Sequence, residues 1–512
     1  MVWLSLTTNM LLGLLFARAY GESHWNWAYS VIQTSDGGYA LAGYTEYPSA
    51  GGYDVLVVKL NASGAVQWAK TYGGTGNDNV YSIVNTTDGG YAVAGTSWSF
   101  GSGSGADFFL FKLSSDGSLQ WAKAYDWSND AYAYSVIQTS DGGYALAGKT
   151  FSSTRYDEYL VVKTGTDGAL QWARIYGWSA GYEAGRSIAQ LSDGSYIIAG
   201  DAYNMGSSIA DTGVLLVKAS SDGTLQWHRG YYNSDRTYLA YSLAISLPGD
   251  YVIGGIAPDP GTGRPDFFAL MVNPDATLDW AKTIGGTQHD SAFSVFRASD
   301  GGYVFAGVTN SYGAGYLDFM VVKLSASGNL QWARTFGSAS YNDAAYSVIQ
   351  MSDGTFAVAG RTAGYGAGGQ DAFILKLSST GIYTDCVQTC SPTVATPSLS
   401  SWSWGSFTSI QSYPTVRTPS PTVQNVNLST EDACPTSDIS EGFTRPAPEI
   451  TCFSVHGGLI FSSETDADLM VFSPDGRLAC SCQIEKGETH LRLEPGVYLW
   501  IAGNCRGKAA VR

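Results

Sequence analysis

The first 385 residues of this 512-residue chain contain no cysteine, and charged residues make up only 14% of the sequence. The 28 Lys and Arg residues are outnumbered by 44 Asp and Glu, which gives a formal net charge of −16. Nucleic-acid binding requires clustered basic residues, so this balance excludes DNA and RNA as expected partners. No apolar stretch is long enough to span a bilayer, and we expect no transmembrane span.

Histidine is also scarce, since only His24, His228 and His289 occur before the C-terminal region. They stand in unrelated contexts, and we find no nucleophile with a matching base and no zinc-ligand spacing. The sequence therefore predicts no catalytic residues. All seven cysteines lie in the last quarter of the chain, where they indicate disulfides in an oxidising compartment.

Glycine (62 residues) and tyrosine (33 residues) are abundant, as is typical of short strands joined by tight turns. One segment recurs seven times, first as YSVIQTSDGGYALAG from Tyr29 to Gly43. Its serine recurs at intervals of 52 to 55 residues, at positions 30, 82, 135, 187, 242, 294 and 347. A second hairpin follows each copy and carries a tryptophan at positions 68, 121, 172, 227, 280 and 332.

Both segments alternate apolar and polar residues around Asp-Gly or Ser-Gly turns, which predicts strands joined in hairpins. Four such strands in each repeat are typical of a propeller blade. We therefore predict an all-β chain in which residues 16–385 form a seven-bladed β-propeller of four-stranded blades. The tryptophans and the aromatic residue after each Asp-Gly turn are predicted to pack between blades.

The seventh copy lacks its last strand, because Asp385 stands where the other copies have tryptophan. Phe16-Ala17-Arg18-Ala19-Tyr20-Gly21 matches the segment from Trp172 to Gly177 position by position. We predict that this N-terminal strand completes the last blade and leaves no free edge. Residues 1–15 resemble the apolar region of a signal peptide, with a cleavage motif ending at Ala19. Cleavage there would remove most of the closing strand, so we expect it before Phe16, or a start codon further upstream.

The remaining residues change in composition twice. Residues 386–445 are rich in Ser, Thr and Pro and are predicted to be an extended linker. Residues 446–512 again alternate apolar and polar residues around an Asp-Gly turn, which predicts a small β-sandwich.

The order of motifs in residues 446–512 is distinctive. Asp475-Gly476-Arg477 follows a strand, Leu493-Glu494-Pro495-Gly496-Val497-Tyr498-Leu499 comes next, and the last strand ends in Arg512. This order resembles the C-terminal sorting domain of type IX secretion cargo in Bacteroidetes-like bacteria. The resemblance implies Sec export, the type IX secretion machinery as a partner, and a location outside the cell or on its outer surface. An immunoglobulin-like stalk domain is the alternative.

Two sets of residues are candidates for binding. Acidic or amide residues four positions before the recurring serine could ring the channel mouth and hold Ca²⁺ through oxygen ligands; they are Asn26, Asp78, Glu183, Asp290 and Asp343. Alternatively, each could shape its own turn. Loop aromatic residues could stack on sugar rings, or pack against neighbouring loops; they are Trp25, Trp27, Trp98, Trp127, Trp178, Tyr231 and Tyr232.

Together these features predict an exported propeller, released or at the cell surface, that binds a glycan or a surface protein without catalysis. Residues repeated in every blade, such as Asp36 and Asp88, are expected to be architectural, because a single site needs asymmetry. Two alternatives stay open. One is a polysaccharide-directed hydrolase or lyase with carboxylates from unlike loops, and the other is a structural surface-layer component.

Overall fold

The computed structural model of the chain consists of β-strands joined by turns, and its described part contains no helix long and apolar enough to cross a membrane. It describes residues 15–21, 24–46, 49–101, 105–127, 129–151, 157–177, 182–203, 212–233, 236–246, 249–314, 316–366, 369–382 and 390, and the strands between 388 and 511. The chain divides into two units, Met1–Cys434 and Pro435–Arg512.

The first unit is a ring of seven antiparallel blades. Blade 1 contains β2 (Asn26–Gln33), β3 (Tyr39–Thr45), β4 (Asp54–Leu60) and β5 (Val66–Gly73). Blade 2 contains β6 (Asp78–Asn85), β7 (Tyr91–Ser97), β8 (Asp107–Leu113) and β9 (Leu119–Asp126). Blade 3 contains β10 (Ala131–Gln138), β11 (Tyr144–Phe151), β12 (Asp157–Thr164) and β13 (Leu170–Gly177). Blade 4 contains β14 (Glu183–Gln190), β15 (Tyr196–Tyr203), β16 (Thr212–Ala219) and β17 (Leu225–Tyr232).

The other three blades follow the same order. Blade 5 contains β18 (Leu239–Ile245), β19 (Tyr251–Pro258), β20 (Pro265–Val272) and β21 (Leu278–Gly285). Blade 6 contains β22 (Asp290–Arg297), β23 (Tyr303–Thr309), β24 (Asp318–Leu324) and β25 (Leu330–Phe336). Blade 7 contains β26 (Asp343–Gln350), β27 (Phe356–Thr362) and β28 (Asp371–Leu377), and its fourth strand is β1 (Ala17–Gly21). The predicted all-β, seven-bladed fold of four-stranded blades is confirmed.

The N-terminal strand β1 closes the ring as predicted. It runs antiparallel to β28, with Ala17 opposite Leu375 and Tyr20 opposite Ala372. The Phe16 ring meets the Tyr39 ring edge-on, with 5.6 Å between their centroids. Phe16 thus occupies the position that tryptophan has in the other blades. The Tyr20 hydroxyl donates to the Gly64 carbonyl at 2.6 Å. Other blades use the same contacts: Trp68 packs on Tyr91 at 6.2 Å, and the Tyr72 hydroxyl donates to the Gly117 carbonyl at 2.5 Å.

A β-bulge interrupts the innermost strand of every blade, in blade 1 between Ala28 and Ser30. A bulge re-aims the side chain at the irregularity, here Tyr29. The Val31 N–H then donates to the Ser347 hydroxyl of blade 7 at 3.2 Å, and five further blade pairs repeat this bond. Gly43 lies opposite the bulge, where a Cβ would overlap the Trp27 carbonyl oxygen. The recurring serine and glycine are therefore structural.

Residues 388–432 differ from the linker prediction, because seven short strands there each add a fifth, outermost strand to one blade. In chain order they are β29 (Gln388–Thr389) on blade 6, β30 (Thr393–Ala395) on blade 5, β31 (Ser400–Trp402) on blade 4, β32 (Thr408–Ser412) on blade 3, β33 (Thr415–Arg417) on blade 2, β34 (Thr422–Asn425) on blade 1 and β35 (Ser429–Asp432) on blade 7. We call these strands the belt. Backbone pairing requires no apolar side chains, so a Ser/Thr/Pro-rich composition is compatible with it.

A buried lysine on the third strand supports the Asp-Gly-Gly turn of its blade. Lys112 Nζ lies 2.8 Å from Asp88 Oδ2 and also donates to the Leu113 carbonyl at 3.1 Å. Asp88 in turn accepts a hydrogen bond from Gly90 N at 3.1 Å. Five other blades repeat the pair, and blade 5 carries Met271 in place of the lysine. The recurring aspartates are therefore architectural, as expected.

Replacing Lys112 with Met, the residue that blade 5 uses, is expected to lower the free energy of unfolding by about 1–3 kcal/mol. Partial burial of Asp88 would raise its pKa, but hydrogen bonds from Lys112 and Thr86 outweigh this and lower the pKa to about 2. Because the unfolded value is about 3.9, the ion pair stabilises above pH ~4 and its contribution is lost as the pH falls towards 2. Urea unfolding of both proteins should therefore converge in acid, and a constant difference would contradict the ion-pair role.

The second unit contains two antiparallel sheets. One has the order β36 (Ile450–Val455), β37 (Gly458–Ser463) and β40 (Gly487–Arg492). The other has the order β39 (Leu478–Ile484), β38 (Ala467–Phe472), β41 (Gly496–Ala502) and β42 (Cys505–Val511). The packing of these sheets into a sandwich stays a prediction.

Candidate binding site at the channel mouth

The seven bulges place one side chain per blade around the central axis. Neighbouring aromatic rings in this set lie 4.8–5.5 Å apart, and the Arg186 guanidinium lies 4.6 Å from the Tyr134 ring and 5.7 Å from the Tyr241 ring. The contacts continue around the whole circle. We call this set the axial ring; its members are Tyr29, Tyr81, Tyr134, Arg186, Tyr241, Phe293 and Tyr346.

The axial ring was not predicted, although its signal is visible in the sequence. Each member is the residue directly before the recurring serine, and blade 4 has arginine where the other blades have an aromatic residue. Arg186 Nε donates to Asp201 Oδ1 at 2.9 Å, and Asp201 is buried. This one exchange breaks the seven-fold symmetry of the channel.

The next layer towards the start of the innermost strands is also asymmetric, and we call it the mouth. It consists of the residue two positions before each ring member and its partner on the second strand. Blades 7, 1, 2, 3 and 4 contribute polar, charged or aromatic side chains there; the pairs are Ala344/Arg361, Trp27/Tyr44, Asn79/Thr96, Tyr132/Lys149 and Ala184/Asp201. Blades 5 and 6 contribute the mainly apolar pairs Leu239/Ile256 and Ser291/Val308. An asymmetric mouth can recognise an asymmetric ligand.

A stack of side chains lies where blades 7 and 1 meet at the mouth. The Arg361 guanidinium lies 3.8 Å from the Trp27 ring centroid, and Trp27 stacks on Trp25 at 6.2 Å. Trp25 is 41% exposed. Arg361 Nη1 donates to Gln370 Oε1 at 2.6 Å, whereas Arg361 Nε and Trp27 Nε1 are buried with no partner in the described part of the chain. The stack thus combines an exposed ring with two unused donors.

Aromatic and charged side chains continue onto blades 2 to 4. The Trp98 and Tyr132 rings meet edge-on at 5.9 Å, and Lys149 Nζ lies 5.3 Å from the Tyr132 ring. Lys149 also forms a 2.7 Å ion pair with Asp157. The Tyr182 and Tyr203 rings lie 6.3 Å apart, and both side chains are exposed. We call the whole set the aromatic arc; it consists of Trp25, Trp27, Tyr44, Trp98, Tyr132, Tyr182 and Tyr203.

The structure separates the predicted binding aromatics into two groups. Trp25, Trp27 and Trp98 belong to the aromatic arc. Trp127 follows an outer strand and packs on Phe108 at 5.4 Å. Tyr231 and Tyr232 lie on the outer strand β17, and the buried Tyr231 hydroxyl donates to the Ala276 carbonyl at 2.7 Å. Tyr231 therefore belongs to the contacts between blades. Trp178 lies outside the described residues.

The predicted acidic residues lie between blades instead of around the channel. Asp78, Glu183, Asp290 and Asp343 are all buried. Alternation within β6 directs Asn79 and Tyr81 to the channel and Asp78 to the opposite face. Asp78 Oδ2 accepts hydrogen bonds from Gly74 N at 2.8 Å and Ser99 Oγ at 2.7 Å, which is the turn-shaping alternative. No three His, Cys, Asp or Glu side chains converge as metal ligands in the part of the chain described.

Comparisons with known proteins identify no family for this chain. No protein-family model matches the chain, and no curated protein matches it. Three similar solved structures are the polysaccharide lyase Uly1, the α-L-arabinofuranosidase Arb93A from Fusarium graminearum and a xylan β-1,4-xylosidase from Bacillus halodurans, each 10% identical. They cover 73%, 70% and 77% of this chain, and 94%, 97% and 96% of their own, with TM-scores of 0.43, 0.38 and 0.28.

Proposed function

We propose that this protein is a non-catalytic carbohydrate-binding propeller whose site is the aromatic arc. The observation that carries the proposal is the stack of Trp25, Trp27 and Arg361, in which an exposed ring adjoins two buried donors without partners in the described structure. The C–H face of a sugar ring packs well on an aromatic ring, and its ring and hydroxyl oxygens accept hydrogen bonds. A sugar would therefore pack on the exposed ring of Trp25.

The remainder of the arc supports an extended ligand. Tyr132 and Tyr203 belong to different blades, so one chain of sugars could contact several rings along the mouth. The charged groups on this side are mostly paired already, Arg186 with Asp201 and Lys149 with Asp157. Arg361 has no ion-pair partner in the described part of the chain, so a uronic acid carboxylate would fit beside it.

Replacing Trp25 with Ala is expected to weaken oligosaccharide binding about tenfold, which corresponds to roughly 1.4 kcal/mol. Trp25 is 41% exposed and is not part of the buried core of the blades, so the variant should fold normally. The measurement is isothermal titration calorimetry with a panel of neutral and uronic acid oligosaccharides. Tyr316→Ala, which removes a 63% exposed ring on blade 6, is the matched control and should bind like the parent protein. Equal affinities for all three proteins, or binding to no saccharide, would overturn the proposal.

A polysaccharide hydrolase or lyase is the second candidate, because two carboxylates lie on unlike blades at or beside the mouth. Asp201 belongs to the mouth, and Asp157 forms a 2.7 Å ion pair with the mouth residue Lys149. Arg186 fixes Asp201 at 2.9 Å. The same panel separates the two candidates, since product formation that Asp201→Asn abolishes would establish turnover. Binding without product formation supports the non-catalytic role.

We also propose that the chain is exported and acts outside the cell or on its outer surface. Support comes from the motif order in residues 475–512, which resembles a type IX sorting domain, and from the signal-like residues 1–15. Cell fractionation with an antibody to the propeller tests this, and protein found only in the cytoplasm would contradict it.

A further inference from the structure

Paired carboxylates lie between neighbouring blades at the strand ends near the mouth. Between blades 1 and 2 they are Asp54, at the start of β4, and Asp78, at the start of β6. Between blades 5 and 6 they are Asp266 and Asp290, at equivalent positions. All four residues are at most 1% exposed. Two buried acidic groups side by side are costly unless something compensates their charge.

One short turn brings both carboxylates of a pair together. Asp54 Oδ1 occupies the space where a Cβ on Gly73 would lie, and Gly74 N donates to Asp78 Oδ2 at 2.8 Å. The blade 5–6 turn repeats both contacts, with Asp266 Oδ1 against Gly285 and Gly286 N donating to Asp290 Oδ2 at 2.9 Å. The two carboxylates of each pair therefore approach consecutive residues.

Each pair also contains oxygen atoms without a partner. Asp54 Oδ1 and Thr71 Oγ1 are buried and accept or donate no hydrogen bond in the described structure, and the same holds for Asp266 Oδ1 and Thr283 Oγ1. Thr71 lies two residues before Gly73 on β5, so alternation places its hydroxyl on the face that Asp54 contacts. The same unsatisfied oxygen set thus occurs twice in one molecule, which is rare among buried polar groups.

The interface between blades 2 and 3 provides an internal contrast. Ala124 and Asp126 occupy the positions that Thr71 and Gly73 have between blades 1 and 2. Trp127 N donates to Asp107 Oδ1 at 3.0 Å, and Ala106 N donates to Asp130 Oδ1 at 2.9 Å. Backbone donors thus satisfy these oxygens at the interface where the sequence differs.

We propose that each of these two interfaces binds a divalent cation, with Ca²⁺ as the expected ion. The protein ligands are Asp54, Thr71 and Asp78 at one site, and Asp266, Thr283 and Asp290 at the other. Oxygen-only ligands select a hard cation, and Ca²⁺ completes its six to eight ligands with carbonyl oxygens and water. Two carboxylates per site balance the charge of one such ion.

A cavity at the surface adjoins the blade 5–6 site. A surface cavity of about 290 Å³ is lined by Gly286, Ser311 and Asp259, among others. Gly286 N and Ser311 Oγ are the groups that bind Asp290 Oδ2, at 2.9 and 2.7 Å. The cavity therefore borders the two groups that hold the Asp290 carboxylate.

Calorimetric titration of the full chain, stripped with EDTA, with CaCl₂ tests the proposal. We expect a higher melting temperature in excess Ca²⁺ than in EDTA. Asp54→Asn and Asp266→Asn should each remove one equivalent of bound Ca²⁺. Asp279→Asn, which changes an exposed carboxylate on β21, is the control and should bind like the parent. If either asparagine variant fails to fold, Thr71→Ala or Thr283→Ala keeps both carboxylates and should weaken one site.

Three results would overturn the proposal. The first is equal melting temperatures in Ca²⁺ and in EDTA together with no heat of Ca²⁺ binding. The second is an unchanged number of bound Ca²⁺ equivalents in the double variant Asp54→Asn/Asp266→Asn. The third is an unchanged Ca²⁺ affinity in both threonine variants. The first result would indicate that a shared proton, and not a cation, compensates each carboxylate pair. Saccharide binding at the mouth is measured separately, so either proposal can fail alone.

Discussion

A chain shortened to residues 1–382 is expected to melt at a much lower temperature than the full chain and to self-associate. The truncation removes the belt, which pairs with the outermost strand of all seven blades. At a net value of about 1 kcal/mol per hydrogen bond, seven short strands contribute roughly 7 kcal/mol or more. Their loss also exposes seven strand edges, which can pair with other chains.

The matched control is a chain that ends at Cys434, which keeps the belt and lacks only the second unit. It should melt close to the full chain and remain monomeric. Differential scanning calorimetry and size-exclusion chromatography with light scattering measure both properties. If the two truncated chains have equal melting temperatures and equal masses in solution, the belt does not stabilise the ring.

Removal of residues 1–21 is expected to prevent the ring from closing. Blade 7 would keep three strands, and the belt strand β35 would lose the strand with which it pairs, β1. Phe16 and Tyr20 are 3% and 0% exposed, and loss of a buried aromatic side chain costs about 3–5 kcal/mol. We expect a loss of cooperative unfolding and an increase in aggregation, measured by circular dichroism and light scattering.

A chain that begins at Leu15 is the control and should unfold like the full chain, because it keeps the whole of β1. The comparison bears directly on export. A signal peptidase that cuts after Ala19 would remove Ala17 to Ala19 from the closing strand. N-terminal sequencing of secreted protein should therefore find an end before Phe16, and a mature end at Tyr20 would contradict the closing role of β1.

The blades could be predicted because the same alternation of apolar and polar residues recurs in every blade. Seven copies of one alternating pattern fix the strand number, and the missing strand of the last copy matches residues 16–21. The match extends to contacts, since Phe16 packs on Tyr39 as Trp68 packs on Tyr91. Side-chain size and alternation are properties that a sequence displays directly.

The belt could not be predicted from the same signals, because backbone pairing holds it. Its strands leave a fainter trace in the spacing of hydroxyl residues, which begin a strand at Thr393, Ser400, Thr408, Thr415, Thr422 and Ser429. These positions lie seven or eight residues apart. One strand per blade explains the spacing, but only once the ring is known.

The site was predicted in part. Loop position indicated Trp25, Trp27 and Trp98, whereas Tyr231 is also aromatic but makes a buried contact between blades. The acidic set was expected at the channel mouth, four residues before the recurring serine. These residues instead begin the innermost strands, as Asp78 begins β6. The alternation of the strand therefore directs their side chains away from the channel.

The route of the belt has a consequence for the order of assembly. From its N-terminus, the belt pairs with the blades in the order 6, 5, 4, 3, 2, 1 and 7. This is nearly the reverse of the order in which the ribosome synthesises the blades. The strand synthesised first, β1, lies between β28 and β35 and is the last to be covered. Neither the N-terminal nor the C-terminal strands of the propeller can then dissociate without displacing the other. We therefore expect slow folding that is completed after translation, followed by a native state whose lifetime is set by a high unfolding barrier.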